Sequence, residues 1–367
     1  MRNSFFIILI IVVLICLMGV LCIYSSTYQK EGRFWQTIYG RQLLWMAIGL
    51  VFFLIMSNMD YRRLWDWTYI FYGLALFMLL LVIVLGVARL GAQRWLKIAW
   101  FNFQPSEFSK LIIVIFLARY FSGKSLDNVS LSTYKFGIFR GLILPFMLVA
   151  VPMGLIIEQP DLGSGVLILF LFIAILFVTG VKLRYIFIFL LLITLPLPFF
   201  WHLLRDYQKE RLMVFLNPNI DPLGAGYTII QSKIAIGSGG FFGKGWLSGT
   251  QSQLHFLPES HTDFIFATFA EEWGFLGSAV LIILYYFLIR EGMLIARRTS
   301  DYFGKLLAFG ISLMLAIQVF TNIAMNMGLA PVVGLPLPLM SYGGSSVLVT
   351  LISLGILANI NKTRTVF

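Results

Sequence analysis

MRNSFFIILIIVVLICLMGVLCIYSSTYQ, residues 1–29, decides the class of fold. Arg2 is followed by an apolar run, and no charged side chain occurs from Phe5 to Tyr24. A helix of about 20 residues rises about 30 Å, which matches the hydrocarbon core of a bilayer. The run exceeds the roughly 7–15 apolar residues of a secretory signal, and no A-x-A cleavage pattern follows. These residues are expected to form a retained first transmembrane helix.

The rest of the chain repeats the pattern. Of its 367 residues 59% are hydrophobic and only 12% charged, against about 25% charged in a soluble domain. Mean hydropathy is +0.90. A water-soluble core cannot hide that much apolar surface. Apolar windows fall at 5–24, 40–57, 68–87, 107–121, 140–157, 164–180, 185–201, 262–289, 303–328 and 342–360. The expected fold is an all-α polytopic membrane protein of about ten transmembrane helices, one domain over residues 1–367. A large loop, 202–261, joins the seventh and eighth. Cys16 and Cys22 lie six residues apart on one helix, a rise of roughly 9 Å. That is too far for a disulfide.

Charge orients the chain. Loops on the side of the N-terminus hold 15 of the 27 basic residues and 5 of the 16 acids, an excess of +10 against +1 opposite. By the positive-inside rule both termini are expected in the cytoplasm and most acids at the outer face. The net charge of +11 then reflects topology and anionic lipid, and gives no reason to propose a nucleic-acid partner.

Four stretches carry candidate chemistry. In FLPESHTDFIFATFAEEWGF, 256–275, Asp263 stands where a polar loop meets an apolar helix. Ser260 and Asp263 fit a loose capping box, and Asp263 also suits the positive helix end. Glu271 and Glu272 lie about 12 Å deeper, where acids must face protein or a wet cavity. They stand about 80° and 180° round the helix from Asp263, so both cannot join it. In GAQRWLKIAWFNFQPSEFSK, 91–110, Arg94, Lys97 and Lys110 mingle with interfacial aromatics. This fits either an aromatic belt or an anionic head-group site. Glu107 and Lys110 are spaced to pair. IIEQPDLGSG, 156–165, is a turn in which Asp161 suits an N-cap. GLAPVVGLPLPLMSYGGSS, 328–346, has prolines and repeated glycines that forbid regular helix, which suggests a structured re-entrant loop, with an oddly apolar plain outer loop as the alternative. The glycine-rich run 236–250 matches neither phosphate-binding pattern and reads as a flexible surface loop. Three histidines without paired cysteines make no structural zinc site, while oxygen ligands for a divalent cation stay open among the outer acids.

GLPLPLMSYGGSS, GAQRWLKI with QPSEFSK, EQPDLGSG and KGWLSGTQSQLHFLPESHTDFIFATFAEEWG occur here in order. Together they resemble the shape, elongation, division and sporulation (SEDS) family over nearly the whole chain, its rod-shape branch more than its division branch. The resemblance implies the SEDS fold and a peptidoglycan glycosyltransferase at the outer face of the cytoplasmic membrane, forming β-1,4 bonds from lipid II with inversion. It places the essential aspartate at Asp263, expected as general base. It places the cavity residues at Arg94, Trp95, Glu107, Lys110 and Asp161, and His261 joins them as a candidate binding residue. Whether burial or the helix end sets the pKa of Asp263 is open at this stage. No cofactor is fixed: Arg94 and Lys110, or magnesium or manganese, would steady the pyrophosphate. The implied partner is a class B penicillin-binding transpeptidase. A lipid II flippase and a non-catalytic scaffold are the alternatives.

Overall fold

The computed structural model of the chain describes residues 2–28, 34–89, 92–98, 101–123, 139–195, 206–222 and 224–363. Ten helices among them answer the ten expected spans one for one. They are α1 (Arg2–Thr27), α2 (Ile38–Asn58), α3 (Arg63–Leu85), α4 (Pro105–Ser122), α5 (Leu144–Glu158), α6 (Leu162–Val178), α7 (Leu183–Thr194), α11 (Ile265–Arg298), α12 (Tyr302–Asn326) and α13 (Gly344–Thr363). Seven are long and apolar enough to cross a membrane on those grounds alone. Of the others, α6 and α7 are shorter apolar helices, and α4 carries Glu107, Lys110 and Arg119 within 18 residues. The chain is an integral membrane protein. Residues 196–201 of the expected seventh span and His202 lie outside the described residues.

Packing follows from small residues and paired polar groups, as apolar lipid offers no hydrophobic drive between helices. Helices α2 and α13 run side by side. A side chain at Gly355 would come within 2.7 Å of the Phe53 carbonyl, so the two backbones meet there. Asn359 of α13 ties the end of α2 to the start of α3, donating to Ser57 O at 3.0 Å and accepting from Tyr61 N at 3.0 Å. Pro152 inside α5 has no N–H for Leu148 O, four residues back. That carbonyl accepts from Tyr72 Oη of α3 at 2.6 Å instead, so the proline costs the bundle no unpaired group.

The two ends of the bundle differ. At one end Tyr61 Oη donates to Asp301 at 3.0 Å, Arg119 lies over the rings of Trp65 and Tyr69, and Lys362 donates to Asn58. At the other, strands β1 (Val87–Arg89), β2 (Ala92–Ile98) and β3 (Phe101–Phe103) form a small antiparallel ribbon. Between α7 and α11 lie α8 (Asp206–Leu216), α9 (Ala225–Ser238) and α10 (Thr250–Gln253).

Helix α11 departs from expectation. It starts at Ile265, runs to Arg298 and breaks at Gly274, where φ is 65° and ψ −162°. Only glycine holds that conformation without strain. The break frees backbone groups, and the glycine-rich loop takes them. Lys244 N and Gly245 N donate to the carbonyls of Glu271 and Glu272, each at 3.0 Å. Phe275 N and Leu276 N donate to Gly240 O and Phe241 O at 2.9 and 3.1 Å. The loop expected to be flexible is therefore stitched to the helix by four backbone bonds.

Candidate active site

Asp263 stands at the loop-to-helix junction, and the expected capping box does not form. The N-cap of α11 is Phe264, whose side chain caps nothing. Ser260 contributes only its carbonyl, which accepts from Thr268 Oγ1 at 3.1 Å. Asp263 precedes the cap, so its carboxylate is not spent on helix amides.

The carboxylate turns toward the irregular stretch between α12 and α13. Gly334 lies in the irregular stretch after α12, with φ of 73°. A Cβ there would lie 3.6 Å from both Arg94 Nη1 and Asp263 Oδ2. A cation and a carboxylate thus both lie beside the same glycine. Arg94, on β2, is anchored by donating to the carbonyls of Gln159 (3.2 Å) and Pro160 in the α5–α6 turn. Arg211 of α8 reaches the same loop and donates to Val332 O at 3.1 Å.

Burial pushes the Asp263 carboxyl up from its ordinary 3.8 to about 6, although part of the side chain stays exposed. The charge of Glu259 adds to the rise and Asp161 contributes a smaller share, while Arg94 and Arg211 oppose it. Desolvation is the largest cause of the rise.

A second group lies beside the first. Asp161 caps α6, accepting from Ser164 N at 3.2 Å, and its other oxygen accepts from Ser106 Oγ at 3.0 Å. One turn along α4, Lys110 donates to Glu107 at 2.5 Å with both side chains buried. Removing one member of such a pair costs about 3–5 kcal/mol, because the other charge is stranded. Trp95 follows Arg94 on β2, where the register against β1 shifts: Trp95 pairs with Val87 and Gln93 with Ala88, so Arg94 is the extra residue of a β-bulge. His261 lies two residues before Asp263, its ring 5.8 Å from that of Tyr342.

The deeper acids have separate duties. Glu271 Oε1 accepts from Lys244 Nζ at 2.7 Å, Thr250 Oγ1 at 3.0 Å and Gln251 N at 3.1 Å. Glu272 accepts from Ser25 Oγ of α1. Both organise the loop before Asp263. The sequence reading did not single out Glu259, Arg211 or the buried Asn322 and Asn326. The asparagines left a trace in TNIAMN, two amides four residues apart in an apolar helix.

Comparison with known proteins fits this arrangement. The family model for the FtsW, RodA and SpoVE cell cycle proteins matches residues 5–366. The chain belongs to this family. It is 41% identical to the peptidoglycan glycosyltransferase MrdB of Escherichia coli K12, over 97% of this chain and 93% of that one. It is 36% identical to the stage V sporulation protein E of Bacillus subtilis, over 96% and 95%. Among solved structures, a chain of a peptidoglycan synthase complex that coordinates polymerization and crosslinking superposes with a TM-score of 0.81. That match is at 32% identity and covers 98% of this chain and 97% of that one. The rod shape determining protein RodA of Thermus thermophilus gives 0.70 at 28% identity, covering 98% and 96%. These are the shape, elongation, division and sporulation proteins that the motifs resemble.

Proposed function

We propose that the chain is a peptidoglycan glycosyltransferase that polymerises lipid II, with Asp263 as general base. Family membership and relatives so named support the activity. The roles of individual residues rest on one observation: a partly exposed carboxyl raised to about 6 by burial, beside Gly334 together with Arg94.

The acceptor sugar's 4-hydroxyl attacks the donor's anomeric carbon. A carbon–oxygen bond forms, the bond to the α-linked pyrophosphate breaks, and the electron pair leaves with the lipid pyrophosphate. The hydroxyl proton passes to Asp263. One displacement inverts the α-linkage to β, so no covalent enzyme intermediate is required. A base with pKa near 6 is ionised at neutral pH yet stronger than an ordinary aspartate. Arg94, and Lys110 if released from Glu107, would neutralise charge building on the leaving group. Asp161, Glu107, Trp95 and His261 are assigned to the walls of the substrate site. Among the described residues no three His, Cys, Asp or Glu side chains form a ready metal cage. Magnesium or manganese held with a pyrophosphate would need only one or two carboxylates besides it.

The proposed setting is the outer face of the cytoplasmic membrane, with both termini inside. A class B penicillin-binding transpeptidase is the proposed partner, since crosslinking would act on the strands made here. The test is glycan polymer from pure lipid II by the purified protein, with and without that partner, beside Asp263→Ala. Polymer from wild type alone supports the assignment. A folded complex that makes none would move it to lipid transport.

A further inference from the structure

The segment leading into α11 is gripped by three carbonyls in a row. His261 O accepts from Tyr342 N at 2.9 Å, and Thr262 O from Ser341 Oγ at 2.7 Å. Asp263 O accepts twice, from Asn322 Nδ2 at 3.0 Å and Asn326 Nδ2 at 2.9 Å. Both of its lone pairs are thus occupied. The two asparagines stand four apart on α12, fully buried, so they share one face.

Asn326 does a second task. Its Oδ1 accepts from Ala267 N at 3.1 Å, the third amide of α11, where Phe264 offers no cap. One side-chain amide therefore fixes both the first turn of the helix and the carbonyl of the residue just before it. Asn322 is fixed in turn, donating also to Leu335 O of the irregular stretch between α12 and α13 at 2.8 Å. The clamp ties Asp263 to the loop that carries Gly334.

We propose that Asn322 and Asn326 are positioning residues that aim the Asp263 carboxylate, by holding its backbone carbonyl from the opposite side. The inference rests on Asp263 being the base. A peptide at a loop-to-helix junction has no ladder to define it, and a misplacement of about 1 Å at a reacting group can cost about 10²-fold in rate. Burying two amides in an apolar helix carries a desolvation cost that leucine would avoid, so hydrophobic packing alone does not account for them. The charged groups facing the carboxylate come from four elements: Glu259 from its own segment, Arg94 from β2, Arg211 from α8 and Asp161 from the α5–α6 turn.

The test measures lipid II polymerisation across pH for wild type, Asn322→Leu, Asn326→Leu, Asn326→Ser and Asp263→Asn, each in complex with the transpeptidase. Ser312→Ala serves as control, since it removes a buried bond within the same helix, from Ser312 Oγ to Ala308 O. The asparagine variants are expected to lose about 10²-fold in kcat with KM little changed. Their acid limb should move to lower pH, as a loosened Asp263 gains water. The control should keep kcat and limb. Folded asparagine variants with wild-type kcat and pH profile would overturn the proposal. A loss that tracks only the folded fraction, with the limb fixed, would also overturn it, as that is the mark of a merely structural role. If the leucine variants do not fold, Asn326→Ser decides. Full turnover by Asp263→Asn would refute the base itself, a failure visible without touching either asparagine.

Discussion

Burial holds the proton on Asp263 up to pH about 6, and Glu259 strengthens that hold. The sign for stability follows. Between its ordinary 3.8 and about 6 the folded protein binds this proton more than the unfolded chain does, so stability falls as pH rises through that window. Above it the ionised carboxylate remains a standing cost to the fold. Asp263→Asn removes the charge and should melt no lower than wild type at pH 7.5, while polymerisation drops by about 10²–10⁴-fold. A thermal melt beside a polymer gel checks both, and a stable, fully active variant would refute the base. In wild type the rate should climb with pH up to about 6 and then level. Arg94 pulls the pKa down, so Arg94→Ala should move the acid limb upward as well as slow turnover. Arg94→Lys should restore the limb more than the rate, because an ammonium cannot span two carbonyls as the guanidinium fork does. A pH–rate profile of each variant separates these effects.

Helix α11 shows how an element can be misread while its residues are read correctly. Its apolar face and its acids were legible, but a glycine in EEWGFLG reads as a tolerated helical glycine. What breaks the helix is the loop 239–245, which competes for its backbone, and no local pattern announces a partner about thirty residues upstream. The same long-range bonding explains why a glycine-rich run is ordered here. Asn322 and Asn326 were visible as polar residues in an apolar helix, but their target lies in another element. A Cβ at Gly274 would lie 2.2 Å from Gly243 N, a backbone atom that cannot step aside. Gly274→Ala should therefore cost more than the roughly 1–3 kcal/mol of an unfavourable backbone conformation. The expected result is a lower melting temperature with new protease cuts in 239–250, read by limited proteolysis. Unchanged stability would mean that the break is not fixed by its glycine.

At the scale of the molecule, the ten helices were legible as apolar windows because apolar length is a one-dimensional property, and seven of them are long and apolar enough to cross a bilayer on that ground alone. The site was legible in part. Arg94 and Asp263 both lie beside one glycine, and Arg94 is the extra residue of a β-bulge in β2, a feature of strand register that a motif does not display. Orientation rests on charge alone, and the structure sharpens its test by separating the ends. Arg119, Asp301 and Lys362 lie near the α2–α3 turn and the end of α13, while Asp263 opens the far end of α11. Cys16 and Cys22 are buried, so single new cysteines can be labelled over a low background. Phe242→Cys, at a position 78% exposed in the loop before Asp263, should react with a membrane-impermeant thiol reagent on intact cells. Arg298→Cys, at the opposite end of the same helix, should react only after the membrane is opened. The reverse pattern would put Asp263 in the cytoplasm, on the wrong side for building a wall from lipid-linked sugars, and would refute the proposed setting whatever the activity of the purified protein.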